Sequence, residues 1–346
     1  MGDESQAIWS LIRETRARRP GKAADHPKRA EVYGAALQQF EELMRAARSV
    51  GYASRPLPLF YAISQAGRAI TAAWADQPWE LHGHGLKFEK GPTAFRSIVK
   101  PEPKATSSFQ SVATVVHQGV VGLTGGVELG ALWASLPDLN PQDLRDERWR
   151  RPLIVLHELE DPATSRVRGK YVIAEIGIAA DRWKHLRMLN ESLSDNELDA
   201  EFEALMRHYP TAEGWQHYRP QGLRLVDFGY FGPKFTIYWQ ADSATLGARE
   251  WAFVHHAFEH RVSGTWWIRP DLNEAGDFLW PLMTWWTLLY GLSMLARYHP
   301  GEWTSALRVD DSPETVPLEA ALDVALEVVP HFVLEGLRAE QFTVPA

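Results

Sequence analysis

One stretch constrains the fold more than any other. From Phe278 to Ala296 the chain reads F-L-W-P-L-M-T-W-W-T-L-L-Y-G-L-S-M-L-A without a charge, and then Arg297, His299 and Glu302 arrive together. A helix that is apolar nearly all round belongs in the centre of a sizeable protein or in a membrane. The run reaches the roughly 18 residues that a span needs. However, Pro281 lies near its start, and Thr284, Thr287 and Ser293 interrupt it. Trp280, Trp285 and Trp286 cluster instead of marking two interfaces, and no basic cluster flanks either end. The expectation is a buried helix in a soluble protein.

The chain has 346 residues, enough for two ordinary domains or one large one. Hydrophobic residues make up 45% and charged residues 23%, a globular and not a disordered composition. The fifteen tryptophans read first as core material, with a stacking role second. A net charge of −8 argues against a general polyanion-binding surface and leaves room only for local basic patches. With no cysteine, disulfides, thiolate zinc sites and cysteine nucleophiles are excluded. The start, M-G-D-E-S-Q-A-I-W, is acidic and lacks an apolar signal core, so a cytoplasmic location is expected.

Helices are expected at both ends. Residues 5–13 place Ile8, Trp9 and Ile12 on one face. R-A-R-R-P-G-K-A-A-D-H-P-K-R (16–29) is basic and broken by prolines, so it reads as a solvated linker, with a nucleic-acid arm as the alternative. From Pro27 to Val50, Tyr33, Leu37, Phe40, Met44 and Ala47 recur every three to four residues. In R-P-L-P-L-F-Y-A-I-S-Q-A-G-R-A-I-T-A-A-W (55–74) an apolar stripe accompanies the small residues Ala62, Ala66, Gly67, Ala69 and Ala73. That small face is expected to receive the bulky face of 278–296. Pro317 to Arg338 reads as a helix kinked at Pro330.

The middle reads as mostly β. Pro92 to Gly126 is rich in Ser, Thr, Val and Gly and is taken as loop and strand, with a short helix from Gly126 to Ser135. Two hairpins are expected, 152–160 with 167–176 and 223–228 with 235–239, with further strand at 251–260 and 265–268. Between the hairpins, Ser194 and Glu197 form a capping box that opens a helix. The fold class is therefore α+β. The expected parts are residues 1–90 (helical), 91–270 (a mostly antiparallel β insert) and 271–346 (helical, packed on the first part).

R-P-L-P-L-F-Y-A-I-S-Q-A-G-R-A-I, then H-G-H-G-L, then L-L-Y-G-L-S-M-L-A-R-Y-H-P-G-E-W resemble the YaaC-like family in order and separation. The resemblance covers most of the chain. It implies a cytosolic bacterial protein and carries no activity with it. The N-terminal helix pair also resembles HEPN domains, helical modules that include many RNases.

No motif fixes a reaction: G-x-x-x-x-G-K-[ST], G-x-G-x-x-G and G-x-S-x-G are all absent. HEPN nucleases pair an arginine with a histidine a few residues on. Arg19–His26, Arg150 or Arg151–His157, and Arg249–His255 or His256 match that spacing, a number that chance alone supplies. Arg249 and His255 are the best of these, and a structural reading outweighs even them. His82 and His84, with Glu80 and His299, have the residue types for zinc, yet the glycines at 83 and 85 read equally as a tight turn, and no metal or other cofactor is assigned. Arg297 either answers the carbonyls at its helix end or, with Arg68, clamps a phosphate or carboxylate. Asp310–Asp311 and Glu158–Glu160 read as solvated charges.

The leading functional expectation is a binding or effector protein. It holds an anionic ligand, a nucleotide or RNA end, near Arg68, His82, His84, Arg297 and His299. The alternatives are an interaction protein that docks a partner protein on a Trp-rich surface, and a metal-independent RNase using Arg249 and His255. No membrane partner is expected, and the residues do not fix an oligomeric state.

Overall fold

In chain order, a computed structural model contains α1 (Asp3–Ala17), α2 (Lys22–Asp25), α3 (Pro27–Ser49), α4 (Pro56–Trp74), β1 (Leu86–Glu89), β2 (Ile98–Pro101), α5 (Ser108–His117), β3 (Val127–Glu128), α6 (Leu129–Ala134), β4 (Leu153–Glu158), β5 (Tyr171–Gly177), α7 (Asp195–Met206), β6 (Gln216–His217), β7 (Asp227–Gly229), β8 (Gly232–Gln240), β9 (Phe258–His260), β10 (Thr265–Ile268), α8 (Pro281–Tyr298), α9 (Pro300–Ala306) and α10 (Thr315–Leu337). The structure describes residues 3–76, 79–102, 107–117, 123, 125–139, 148–158, 171–177, 194–212, 216–217, 227–229, 232–240, 258–260 and 265–338. Two compact units result. Met1–Trp149 and Leu279–Ala346 form the first, and Arg150–Phe278 the second. The second unit begins at residue 150, and the α+β class holds.

In the first unit every residue of α8 from Pro281 to Ser293 is buried. α4 runs antiparallel along it. Phe60 meets Tyr290 with ring centroids 5.3 Å apart. Gly67 lies under the Trp286 ring, so a Cβ there would collide with that ring and with Val112. Ile70 and Leu282 both close on Gly336 of α10. The small face of α4 thus receives the bulky face of α8, as the sequence suggested. Each large apolar side chain so buried contributes about 1.5–3 kcal/mol. Proline opens α3, α4, α8 and α9, where its missing N–H costs nothing and its fixed φ suits the first turn. Among the described residues no helix is long and apolar enough to cross a membrane.

Two expectations are corrected here. The basic stretch 16–29 is not a solvated linker: α1 runs on to Ala17, α2 follows, and Ala23 is fully buried. Arg29 is only 4% exposed and donates to the carbonyls of Ala72 (3.1 Å) and Ala75 (2.9 Å). α4 ends there, and its last carbonyls need donors from outside the helix. Residues 108–117 are helix, not loop or strand. Phe109, Val112 and Ala113 recur at helical spacing and are fully buried, which overrides the poor helix propensity of their Ser, Thr and Val neighbours.

A three-stranded antiparallel sheet, β1-β2-β3, completes the first unit. The second unit carries a larger antiparallel sheet in the order β6-β8-β5-β4-β10-β9, with β7 on β8. Both expected hairpin pairings, β4 with β5 and β7 with β8, are present. α7 opens on Ser194, whose backbone N–H donates to Glu197 (2.8 Å) in the expected capping box.

Leu288→Ala is expected to cost about 2–5 kcal/mol in urea denaturation, the range for a buried leucine cavity. Gly67→Val should remove the cooperative transition, because the Trp286 ring has nowhere to go. The exposed neighbour Arg68 serves as the control, since Arg68→Ala should stay within ~0.5 kcal/mol of the parent. A Leu288→Ala variant equal to the parent would show that α8 is not the core.

Candidate functional site

The loop after α4 is shaped by Gly83 (φ 65) and Gly85 (φ 75), both in the left-handed region that favours glycine. The chain folds back on itself there. The Ser108 hydroxyl donates to the Gly83 carbonyl, Phe109 N–H to the His84 carbonyl (3.2 Å) and Glu102 N–H to the Gly85 carbonyl (2.8 Å). The side chains of His82 and His84 are left exposed.

The C-terminal end of α8 meets this loop. The Tyr290 hydroxyl donates to the Leu86 carbonyl (2.7 Å), and its ring lies 5.2 Å from that of His84. One element further on, His299 lies 6.1 Å from Phe88, and Lys90 pairs with Glu302 at 2.7 Å. Arg297 Nη2 donates to the Tyr298 hydroxyl at 2.9 Å, and both residues are exposed. Among the described residues Arg297 has no carboxylate partner. Burial pushes the Tyr290 phenol up to about 12; Glu102 and Tyr298 reinforce the shift and Arg297 opposes it. Glu102 and Arg297 therefore act on the same buried hydroxyl. Lys90 holds the Glu302 carboxyl below its usual range, with a smaller contribution from His299. His84 thus lies against Tyr290 of α8, Arg297 acts on the hydroxyl of the same tyrosine, and His299 faces Phe88 of the strand that follows the loop.

Other expected members stand apart. The antiparallel register sets Arg68 opposite the middle of α8, roughly 20 Å along the helix axes from Arg297 at 1.5 Å per residue. No small anion bridges that distance. Glu80 pairs with Lys28. No group of three His, Asp or Glu side chains able to hold a metal ion occurs among the described residues. Arg249 and His255 lie outside the described residues. Asp311 is an exposed partner of Arg308 (3.0 Å).

Two features escaped the sequence reading. A cleft of about 270 Å³ opens where α1, α4 and α10 end, with Glu14, Arg18, Trp74 and Arg338 in its walls. Three helix C-termini converge there, so the arginines face negative dipole ends and the cleft is a poor anion receptor. In the second unit Arg150, His208 and Asp271 bond to one another. They come from three separate segments, and no spacing rule links them.

The buried phenols make alkaline stability a measurable consequence. Tyr33 is also pushed up to about 12, chiefly by burial. A raised tyrosine pKa means that the fold prefers the neutral phenol. Its contribution is complete below the ordinary value of 10.0 and is lost as pH rises from there towards 12. Urea midpoints should therefore fall steeply between pH 10 and 12. Tyr290→Phe should flatten that fall while costing about 1 kcal/mol at pH 8, through the lost bond to the Leu86 carbonyl. An unchanged alkaline slope would count against the buried-phenol account.

The chain matches the YaaC-like protein family over residues 5–337. Neither a curated protein nor a solved structure shows significant similarity to it. The match runs through both helical landmarks, the H-G-H-G loop and the whole insert, and by that coverage the chain belongs to the YaaC-like family.

Proposed function

We propose that the protein binds a small anionic ligand, a nucleotide or a phosphorylated RNA end, at the rim built from His84, Arg297 and His299. The carrying observation is Arg297, an exposed arginine without a carboxylate partner among the described residues, set on an exposed tyrosine ring and on the helix whose Tyr290 packs against His84. A guanidinium offers two parallel donors to a phosphate, and the Tyr298 ring offers a face to a base. His84 and His299 supply further donors when protonated. Arg68 has no part in this reading, and His82 stands at its edge. Every tryptophan whose surroundings are described is buried or half-buried, so nothing among them favours a Trp-rich docking surface.

The test is titration of the full chain with nucleoside monophosphates, followed by calorimetry. Arg297→Ala should weaken binding about tenfold or more, the worth of a charged hydrogen bond, with the melting temperature within about 2 °C of the parent. His84→Ala should weaken binding less. If Arg297→Ala unfolds the protein, Arg297 is a helix-end residue and the reading is dropped. If the parent binds no nucleotide, it fails outright.

A further inference from the structure

In the second unit, Arg150, His208 and Asp271 close a triangle from three segments: the residues before β4, the turn after α7 and the loop after β10. Arg150 Nη1 donates to Asp271 Oδ1 at 3.0 Å, and His208 Nδ1 lies 2.9 Å from Asp271 Oδ2. The third edge joins Arg150 Nη2 to His208 Nε2 at 3.1 Å. The Asp271 N–H also donates to the His208 carbonyl (2.7 Å), which fixes the loop on the turn. The carboxylate side chain is 7% exposed, and the imidazole is 40% exposed.

The protonation of the triangle follows from its donors. A guanidinium only donates, so Nε2 must accept, and the imidazole is neutral with its hydrogen on Nδ1, directed at Asp271. In that state the charges of Arg150 and Asp271 cancel. A proton added at Nε2 would face the Arg150 N–H and leave the site with a net positive charge. An oxyanion placed against Nε2 and Nη2 accepts from both and resolves that conflict. Asp271, buried below, holds the imidazolium from the other side. The groups bonded to His208 are Arg150 and Asp271; Arg148, Arg151, Arg207, Arg269, Glu274 and Asp277 are the other charged residues described on the same three segments.

We propose that Arg150 and His208 form a site for a tetrahedral oxyanion of the phosphate-monoester class, and that the anion enters together with one proton taken up by His208. This site is independent of the rim in the first unit. Sulfate is the probe, because it is a dianion without a titrating proton in the neutral range. Calorimetry of the full chain with sulfate at pH 7.5, in two buffers of different ionisation enthalpy, should show uptake approaching one proton per anion. Affinity should fall as pH rises, because each bound anion brings one proton with it. Arg150→Ala should lower affinity tenfold or more. His208→Gln keeps a neutral donor, so it should retain weakened binding with no proton uptake and no pH slope. Should Arg150→Ala fail to fold, Arg150→Lys keeps the charge without the fork, and it should bind more weakly with the pH slope intact. The His208 ring nitrogens, assigned by difference against His208→Gln, should change from one protonated nitrogen to two as sulfate is added. No binding by the parent, buffer-independent heats, or unchanged affinity in Arg150→Ala or Arg150→Lys would overturn the proposal. Arg297→Ala should leave the sulfate-linked proton uptake untouched, so failure at one site is distinguishable from failure at the other.

Discussion

Everything in the first unit depends on how closely α4 approaches α8. Gly67 permits it: its missing side chain is the space that the Trp286 ring fills. A glycine inside a helix costs about 1 kcal/mol relative to alanine, and the apolar area closed over α8 outweighs that several times. The indole nitrogens of Trp285 and Trp286 are buried without an acceptor among the described residues, at a cost of about 1–3 kcal/mol each. Helix carbonyls around them are already engaged in their own helices. Trp74, Trp133 and Trp303, nearer the edges, each donate to a carbonyl at 3.0 Å: Leu337, Pro317 and Ala53 respectively. In the centre the small hydroxyls of Thr71 and Thr287 are satisfied by carbonyls of their own helices, Gly67 (3.1 Å) and Met283 (2.8 Å), and the two indoles are held by packing.

Tyr290 links that centre to the rim. Its ring packs on Phe60 in the core, and its hydroxyl anchors the loop that carries His84. Two turns later the same helix presents Arg297.

Legibility followed periodicity. α3, α4, α8 and α10 were readable because their apolar residues repeat at helical spacing and a proline opens most of them. The capping box of α7 and the two hairpin pairings were readable from local chemistry. The contact of the His84 loop with α8 through Tyr290 followed from the packing of two helices, one step beyond the pattern. Other features were not local. α5 is helical because Val112 packs beside Gly67, and Arg29 is buried because α4 ends beside it. Arg68 looked like a site residue because it interrupts an apolar run, yet its side chain simply turns to solvent. The Arg150–His208–Asp271 triangle draws on segments more than fifty residues apart, and pairwise spacing has no access to that.

The clamp of Arg29 on the end of α4 has a consequence for how the protein would come apart in acid. Carbonyl oxygens do not titrate, so this tie between α3 and α4 survives at pH values that dissolve carboxylate pairs. α1 is held differently, through the bond of Arg13 to Glu41 on α3. That bond holds the Glu41 carboxyl below its usual range, so its contribution is present above the ordinary carboxylate value and disappears as pH falls through the lowered one. Acid would therefore remove this one charged tie of α1, while the packing of Trp9 on Phe40, the buried Ile12 and the bond of the Tyr33 hydroxyl to Thr15 stay in place.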